Sequence, residues 1–492
     1  MCRFSISVPR ASVALALPFV LAACGTIPEL PAASEIARPE AVSAHRVFAS
    51  GYSAWPEDQW WMAYNEAQLT SLMEEALAQV PDMAAAEARV RLAASYAQRA
   101  AAAGGASYSL EASATLEKQS YNNGFPKEFL PQGWKDHGNA AFGVGYDFDF
   151  WGKTRAELAA AVSDLAAAEV DREAARLAIT TRLAVAYVEL SSLYVEQDFR
   201  QAALDLRLST LDLVSQRVGS GLDRRGNERL AEANVASAEA ELLGTNEAIT
   251  LKKNELAALV GAGPDRAMEI ARPDFGDVTP HIVPEEASTQ LVGRRPDIVA
   301  ARLRAEALSD RIDVAKAGFY PSIRVSALVG VQSLGLDQLI NRDSIYGNAG
   351  PAISLPIFSQ NTLESQYRGA RAQYDEAVAN YSRLVVAAYR EVADVVTSQS
   401  MLGDRVAASD EAVEAAEDAY DIAQLRYKGG LSSFLDVITV EERLLQARAV
   451  RATLDSRSVQ LDIALIRALG GGFVAAPETL LTNNMTEDAN HG

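Results

Sequence analysis

Residues 138–150 read Gly138-Asn139-Ala140-Ala141-Phe142-Gly143-Val144-Gly145-Tyr146-Asp147-Phe148-Asp149-Phe150 and run straight into Trp151-Gly152-Lys153. From Ala140 to Phe150 every even position is apolar, while the odd positions carry Asn139, Ala141, Gly143, Gly145, Asp147 and Asp149. Side chains on a strand alternate between its faces, so this spacing predicts a strand with one apolar and one wet face. The same period runs through 107–117, where Tyr108, Leu110, Ala112, Ala114 and Leu116 alternate with Ser107, Ser109, Glu111, Ser113 and Thr115. It returns in 321–332, with Ile323, Val325, Ala327, Val329 and Val331 against Ser322, Arg324 and Ser326. Strands of roughly ten residues are what a tilted chain needs to cross the hydrocarbon of a bilayer. A fourth candidate, 346–357, alternates through Ile353, Leu355 and Ile357, although Pro351 and Pro356 each remove a ladder donor.

Four amphipathic strands cannot close into a barrel, and an open edge in lipid leaves backbone groups without partners. One outcome is a soluble four-stranded sheet with its apolar face under helices. The other is a set of strands lent to a barrel shared between subunits. Strand length and the N-terminal signal described below favour the shared barrel.

The chain is written twice. Gln79-Val80-Pro81-Asp82-Met83 opens an Ala-rich helical run, and Arg294-Arg295-Pro296-Asp297-Ile298 opens another 215 positions later. Phe150-Trp151-Gly152 is matched about 207 positions on by Ile357-Phe358-Ser359, and Gln216–Leu222 recurs as Leu425–Leu431 at an offset of 209. Three landmarks in one order, at nearly one offset, mark an internal duplication. The fourth strand is placed by this repeat more than by its own pattern. Each half reads helix, two strands, long helix, glycine break, helix.

No proline interrupts 153–218 or 362–428. At 1.5 Å per residue either run makes a rod of roughly 100 Å, the depth of a periplasm rather than the width of a globular domain. Val413, Ala416, Tyr420, Ala423 and Tyr427 follow coiled-coil steps. Past the break, Val437, Val440, Leu444, Ala447, Leu454, Leu461 and Leu465 continue the seam, with Arg451 and Ser458 interrupting it. Leu204, Leu208, Leu211 and Val218 do the same in the first half. Gly219 and Gly221, and then Gly429 and Gly430, supply tight reversals, so each half ends in a helical hairpin tip.

The N-terminus sets the compartment. Arg3 and Arg10 precede an apolar stretch, 11–23, that ends in Leu21-Ala22-Ala23-Cys24-Gly25. This is the pattern of a secretory signal. Small residues before Cys24 fit lipoprotein processing, with an ordinary signal and an incidental cysteine as the alternative. Cys2 lies in the segment to be removed, so no internal disulfide is possible in the mature chain. His45, His137, His281 and His491 lack ligand spacing, which predicts no metal and no cofactor. The net charge of −20 argues against nucleic acid. Ser191-Ser192 and Ser432-Ser433 have no His or Asp companions of triad type, so no enzyme is expected.

These features together resemble the TolC-like outer-membrane factor family, in its lipid-anchored, NodT-like multidrug-efflux branch. The resemblance rests on Leu21–Cys24, on Pro81-Asp82 and Arg295-Pro296-Asp297, and on Asp147-Phe148-Asp149-Phe150-Trp151-Gly152-Lys153. It rests further on Ala317-Gly318-Phe319-Tyr320-Pro321, Leu355-Pro356-Ile357-Phe358 and Arg426-Tyr427-Lys428-Gly429-Gly430-Leu431. The fold it implies is mainly α with membrane β: long coiled-coil hairpins in two repeats, each giving two strands to a trimeric twelve-stranded barrel. Gly25 after the cysteine implies the outer membrane of a Gram-negative bacterium. The implied partners are two further copies, a periplasmic adaptor (membrane fusion) protein and an inner-membrane transporter of the resistance-nodulation-division type. The implied function is the outer-membrane channel of a tripartite pump exporting small toxic compounds or drugs, with a type I secretion exit duct as the alternative. A periplasmic coiled-coil adaptor and a structural envelope lipoprotein are the readings from other classes.

The expected layout is a signal at 1–23, an anchor and equatorial segment at 24–64, a first repeat at 65–260, and an equatorial link at 261–290. A second repeat at 291–469 and an equatorial tail at 470–492 complete it. Carried over on Tyr427 and Gly430, the family's acidic aperture falls on Asp436, and Thr439 stands where some relatives have another aspartate. Asp436 then either lines the aperture or is a solvated aspartate favoured by the dipole of a helix's first turn. The hairpin-tip glycines would meet the adaptor. The family's tip-locking arginine is replaced here by Ser432.

Overall fold

The computed structural model describes residues 27–36, 54–122, 124–275, 281–284 and 287–475. Cys24 and the signal lie outside the described residues. In chain order the elements are α1 (Ala67–Gln79), α2 (Pro81–Ala103), β1 (Ser107–Glu117), β2 (Lys135–Phe148), α3 (Lys153–Gly219) and α4 (Arg225–Leu259). They continue with α5 (Asp265–Met268), α6 (Ala287–Arg294), α7 (Pro296–Ala317), β3 (Ser322–Leu334), β4 (Ile345–Ser354), α8 (Gln360–Lys428) and α9 (Phe434–Leu469). The chain is mainly helical, with four strands in two repeats. Pro81 and Pro296 occupy the first helical position, where a missing N–H breaks no hydrogen bond.

Of the described residues, the first of two compact units takes 27–36, 91–166 and 302–380. Its sheet is antiparallel in the order β1-β2-β3-β4. Leu110 faces Phe142, Phe142 faces Val329, and Ile323 sits between Phe148 and Ile353. The apolar halves of all four strands therefore fall on one continuous face, which is exposed: Leu110 is 78% accessible and Ile353 58%. Glu111, Asn139, Asp147, Arg324 and Gln332 share the opposite face by the same register. There the Arg324 guanidinium reaches Ser107 (3.4 Å) and Asp147 (3.9 Å).

β2 and β4 both stop short of the period-two reading, while β2 begins three residues earlier, at Lys135, and β3 runs on to Leu334. Phe148 is the last residue of β2, because Asp149 turns its carboxylate to the backbone N–H groups of Thr154 (3.1 Å) and Arg155 (3.0 Å) and so caps α3. β4 stops at Ser354, short of Pro356. Pro351 stays in the ladder opposite Val325, on a terminal strand where a proline is tolerated.

Beside the sheet, Ile312, Phe319 and Tyr367 form a small core. Trp151 stacks on Tyr320 at 4.5 Å and donates from Nε1 to the Pro321 carbonyl (2.7 Å). The extended segment 27–36 packs Ile27 and Leu30 on that core. Farther along α8, Arg371 donates to the Pro31 carbonyl (3.3 Å) and the Ser34 N–H donates to Asp375 (3.0 Å).

Of the described residues, the second unit takes those within 54–90, 167–301 and 381–475. Its core gathers Trp60, Trp61, Tyr64, Leu69, Leu72 and Met73 against Leu183, Tyr187, Leu190, Leu256, Ile463 and Ile466. Burying each large side chain contributes about 1.5–3 kcal/mol, before the entropy of ordering is subtracted. Asp462, with no exposed surface, accepts from Tyr64 Oη (2.6 Å) and from the backbone N–H (2.5 Å) and Nδ1 (3.0 Å) of His281. Arg295 is held by Asp297 (2.7 Å), Glu391 (2.7 Å) and the Ala468 carbonyl (3.3 Å).

Candidate functional site

Both long helices end in the same backbone device. In the first hairpin the Leu222 N–H bonds the Arg217 carbonyl (2.8 Å) and the Gly221 N–H bonds Val218 (3.0 Å). In the second, Leu431 bonds Arg426 (2.8 Å) and Gly430 bonds Tyr427 (3.0 Å). This paired 6→1 and 5→2 pattern needs a left-handed residue just past the helix. Gly221 (φ +71°) and Gly430 (φ +72°) supply it. Gly219 and Gly429 carry no such backbone constraint; they end the helical turns on ordinary φ values.

The side chains then join the two turns. Asp223 accepts from the Arg224 N–H (2.7 Å), from Asn227 Nδ2 (2.7 Å) and from the Tyr427 hydroxyl. Arg217 lies over the Tyr427 ring at 4.5 Å, donates to the Lys428 carbonyl (3.3 Å) and stands 3.9 Å from Asp223. Burial pushes the Asp223 carboxyl up, but the hydrogen bonds from Tyr427, Arg224 and Asn227 and the Arg217 charge hold it below the usual carboxylate range. Burial and the Asp223 carboxylate raise the Tyr427 phenol. A charged acceptor, a phenol and a guanidinium thus fasten α3 and its turn to the end of α8.

Asp436 and Thr439 sit one turn apart at the start of α9, on one face. Asp436 is exposed, and its carboxylate accepts from the Ser433 N–H (2.8 Å) and hydroxyl (2.9 Å), completing a capping box. The Ser433 backbone N–H, then its hydroxyl, hold this carboxyl below the usual range. Thr439 Oγ1 donates back to the Leu435 carbonyl (2.8 Å). Ser432 Oγ is buried and makes no hydrogen bond. The turn brings Gly219, Gly221, Gly429 and Gly430 into the tip region, with Arg217 of one turn bonded to Lys428 of the other. Asp223 and Arg217 escaped the sequence reading, although the offset of 209 sets Asp223 opposite Ser432 and could have flagged an acid lacking its repeat mate.

A family model described as "Outer membrane efflux protein" matches residues 72–262 and 287–471, one segment for each repeat. The multidrug resistance outer membrane protein MdtP of Escherichia coli O6:H1 is 30% identical over 467 residues, covering 93% of this chain and 95% of that protein. The pyoverdine export outer membrane protein OpmQ of Pseudomonas putida is 28% identical over 480 residues, covering 96% and 100%. The crystal structure of the outer membrane protein VceC from Vibrio cholerae matches with a TM-score of 0.80 at 46% identity, covering 85% of this chain and 100% of that one. With both repeats matched and the same four-strand, long-helix fold in a solved relative, the chain belongs to the outer membrane efflux protein family.

Proposed function

We propose that this outer-membrane efflux channel works as a homotrimer, the exit duct of a tripartite pump for drug-like toxic compounds. The observation that carries the reading is the sheet. It has one exposed apolar face, one polar face, and two outer strands, β1 and β4, each paired on one side only. Three copies joined edge to edge satisfy the backbone groups that lipid would leave bare and turn the polar face inward. Detergent-purified protein should run as a trimer and give discrete single-channel conductance in a planar bilayer. A monodisperse monomer that stays soluble without detergent would overturn the trimer.

The lipid anchor at Cys24 is part of the same proposal. Between Ser34 and Ile27 the N-terminal segment follows α8 from Asp375 back to Tyr367, toward the helix start that follows β4. Ile27 and Leu30 pack on the core beside the sheet, and this supports an anchor at Cys24, three residues before Ile27. Cys24→Ser should abolish lipid labelling. In the second unit, Leu222 (67% exposed) and Leu431 (75%) follow the two turn glycines as exposed apolar side chains. They support docking of a periplasmic adaptor at the tips, and through it an inner-membrane transporter of the resistance-nodulation-division type. Asp436 and Thr439 are the proposed aperture residues, with three Asp436 carboxylates favouring cations. The names of MdtP and OpmQ speak of multidrug resistance and of pyoverdine export, in keeping with a duct whose cargo is chosen by the pump.

A further inference from the structure

About two turns into α9, a glutamate is shut inside the hairpin pair. Glu441 is 3% exposed, among Val437, Ile438 and Leu444 of the apolar seam. Its Oε2 accepts from Thr210 Oγ1 of α3 (2.8 Å), and Thr210 Oγ1 lies 3.3 Å from the Tyr420 hydroxyl of α8. Its Oε1 stands 3.9 Å from Arg207 Nε, a buried nitrogen with no hydrogen-bond acceptor. Arg207 uses its other arm on the Asn234 carbonyl of α4 (2.9 Å). The carboxylate, Thr210 and Arg207 thus form a relay that touches all four hairpin helices.

The repeat shows that this layer is not a by-product of the duplication. At the offset of 209 the mate of Glu441 is Glu232, which is on the surface and paired with Arg229 (2.5 Å). The mates of Arg207 and Thr210 are Ala416 and Ala419. One glutamate is part-exposed, and the other is enclosed with a cation and a hydroxyl beside it.

We propose that Glu441 is a positioning residue for the channel tip, whose gain or loss of a proton sets how firmly α9 is held against α3. The inference rests on the channel reading above. As a carboxylate, Glu441 attracts Arg207 across a gap where little solvent screens the charge. When one oxygen takes a proton from solvent, the bond with Thr210 can persist, but the buried Nε of the part-exposed Arg207 loses the charge it faces, and α9 loosens. Burial pushes the Glu441 carboxyl up, opposed by the Thr210 hydrogen bond and the Arg207 charge, while Glu442 on its own helix adds to the rise. The remaining groups facing it are the Tyr420 phenol on α8, also raised by burial, and the uncharged Asn234 carbonyl on α4. Asp223 and Asp436 are held low, so they stay ionised when Glu441 titrates.

The test is amide hydrogen exchange on the full-length detergent trimer at pH 7.5 and 4.5, corrected for intrinsic exchange, with single-channel recording alongside. Protection of 205–214 and 437–445 should fall about tenfold on acidification, with open probability rising several-fold. Glu441→Gln should show low protection at both pH values and no pH response at this layer. Should Glu441→Gln not assemble, Thr210→Val removes one stabilising partner of the carboxylate and should move the wild-type transition to higher pH. A wild-type layer whose protection ignores pH would overturn the proposal, as would a Glu441→Gln or Thr210→Val protein that responds as wild type does. Exchange that responds while open probability does not would refute the link to the tip. A protein with no conductance at all would instead count against the channel reading, leaving exchange to decide on Glu441.

Discussion

Asp223 and Ser432 occupy the same position of the duplicated sequence, two residues after Gly221 and Gly430. The backbones before them carry the same two hydrogen bonds within 0.1 Å. Yet Asp223 reaches across to Tyr427 and Arg217, while Ser432 is left with a buried, unbonded hydroxyl. The nearest acid in the second turn, Asp436, folds its carboxylate back on Ser433 of its own helix. The two turns, equal in backbone, are a complementary pair in side chains: the second presents a phenol and a carbonyl, the first an acid and a guanidinium. A tip built this way can open by parting two unlike surfaces without unfolding either turn.

Breaking the cross-hairpin contact should have the largest effect. Asp223→Ala strands the Tyr427 hydroxyl and Arg217, and a hydrogen bond to a charged group contributes about 1.5–3 kcal/mol. The ratio of held to released hairpins should drop by roughly ten- to a hundredfold, read as higher conductance and as sensitivity of cells to a large antibiotic. Tyr427→Phe should do less, since Asp223 keeps Arg224 and Asn227. Because the folded Asp223 pKa lies below the ordinary value of about 3.9, its stabilisation is present above that value and fades as pH falls through the lower, folded one. The effect of Asp223→Ala relative to wild type should therefore be equal at pH 5 and pH 7.5; a loss of effect by pH 5 would disprove it.

The second comparison is electrical. If Asp436 faces the duct, Asp436→Lys should shift the reversal potential toward anions and Asp436→Ala should weaken cation selectivity. Unchanged selectivity in both would mean that this carboxylate serves only its capping box. The smallest effect separates the paired glycines. Gly430→Ala places a Cβ at φ +72° and should cost about 1 kcal/mol, lowering the thermal midpoint by a few degrees. Gly429→Ala meets only contacts of 3.5 Å or more and should leave it unchanged.

Most of this architecture was legible because it follows from period. Alternation over 107–117 gives β1 residue for residue, and the missing prolines give α3 and α8. The tips were legible as places but not as chemistry. Sequence could say that glycines end the helices at 219–221 and 429–430, yet only backbone angles say which of each pair is left-handed. Glu441 lies four residues after Val437 and three before Leu444, on the buried stripe, and spacing alone could have raised it. What spacing could not supply were Arg207 and Thr210, some 230 residues earlier in the chain. The β2 end was misjudged because Asp149 fits the alternation but is taken by the α3 N-terminus.

One detail of the second unit bears on how the gene could be divided. Gly261, just past α4, lies against the Gln79 carbonyl at the start of its own repeat, and Gly470, just past α9, lies against the Arg294 carbonyl at the start of its own. Each half of the polypeptide thus returns to its origin, and the covalent link between halves closes neither. What holds the halves together is non-covalent: the ladder of β2 on β3, and the contacts of Tyr64 on Asp462, Asp223 on Tyr427 and Thr210 on Glu441. Residues 1–280 and 281–492, exported as two separate chains with a signal on each, should therefore find one another and co-purify as a nicked trimer. Fragments that never co-purify would show that tethering is needed to bring those buried polar contacts together.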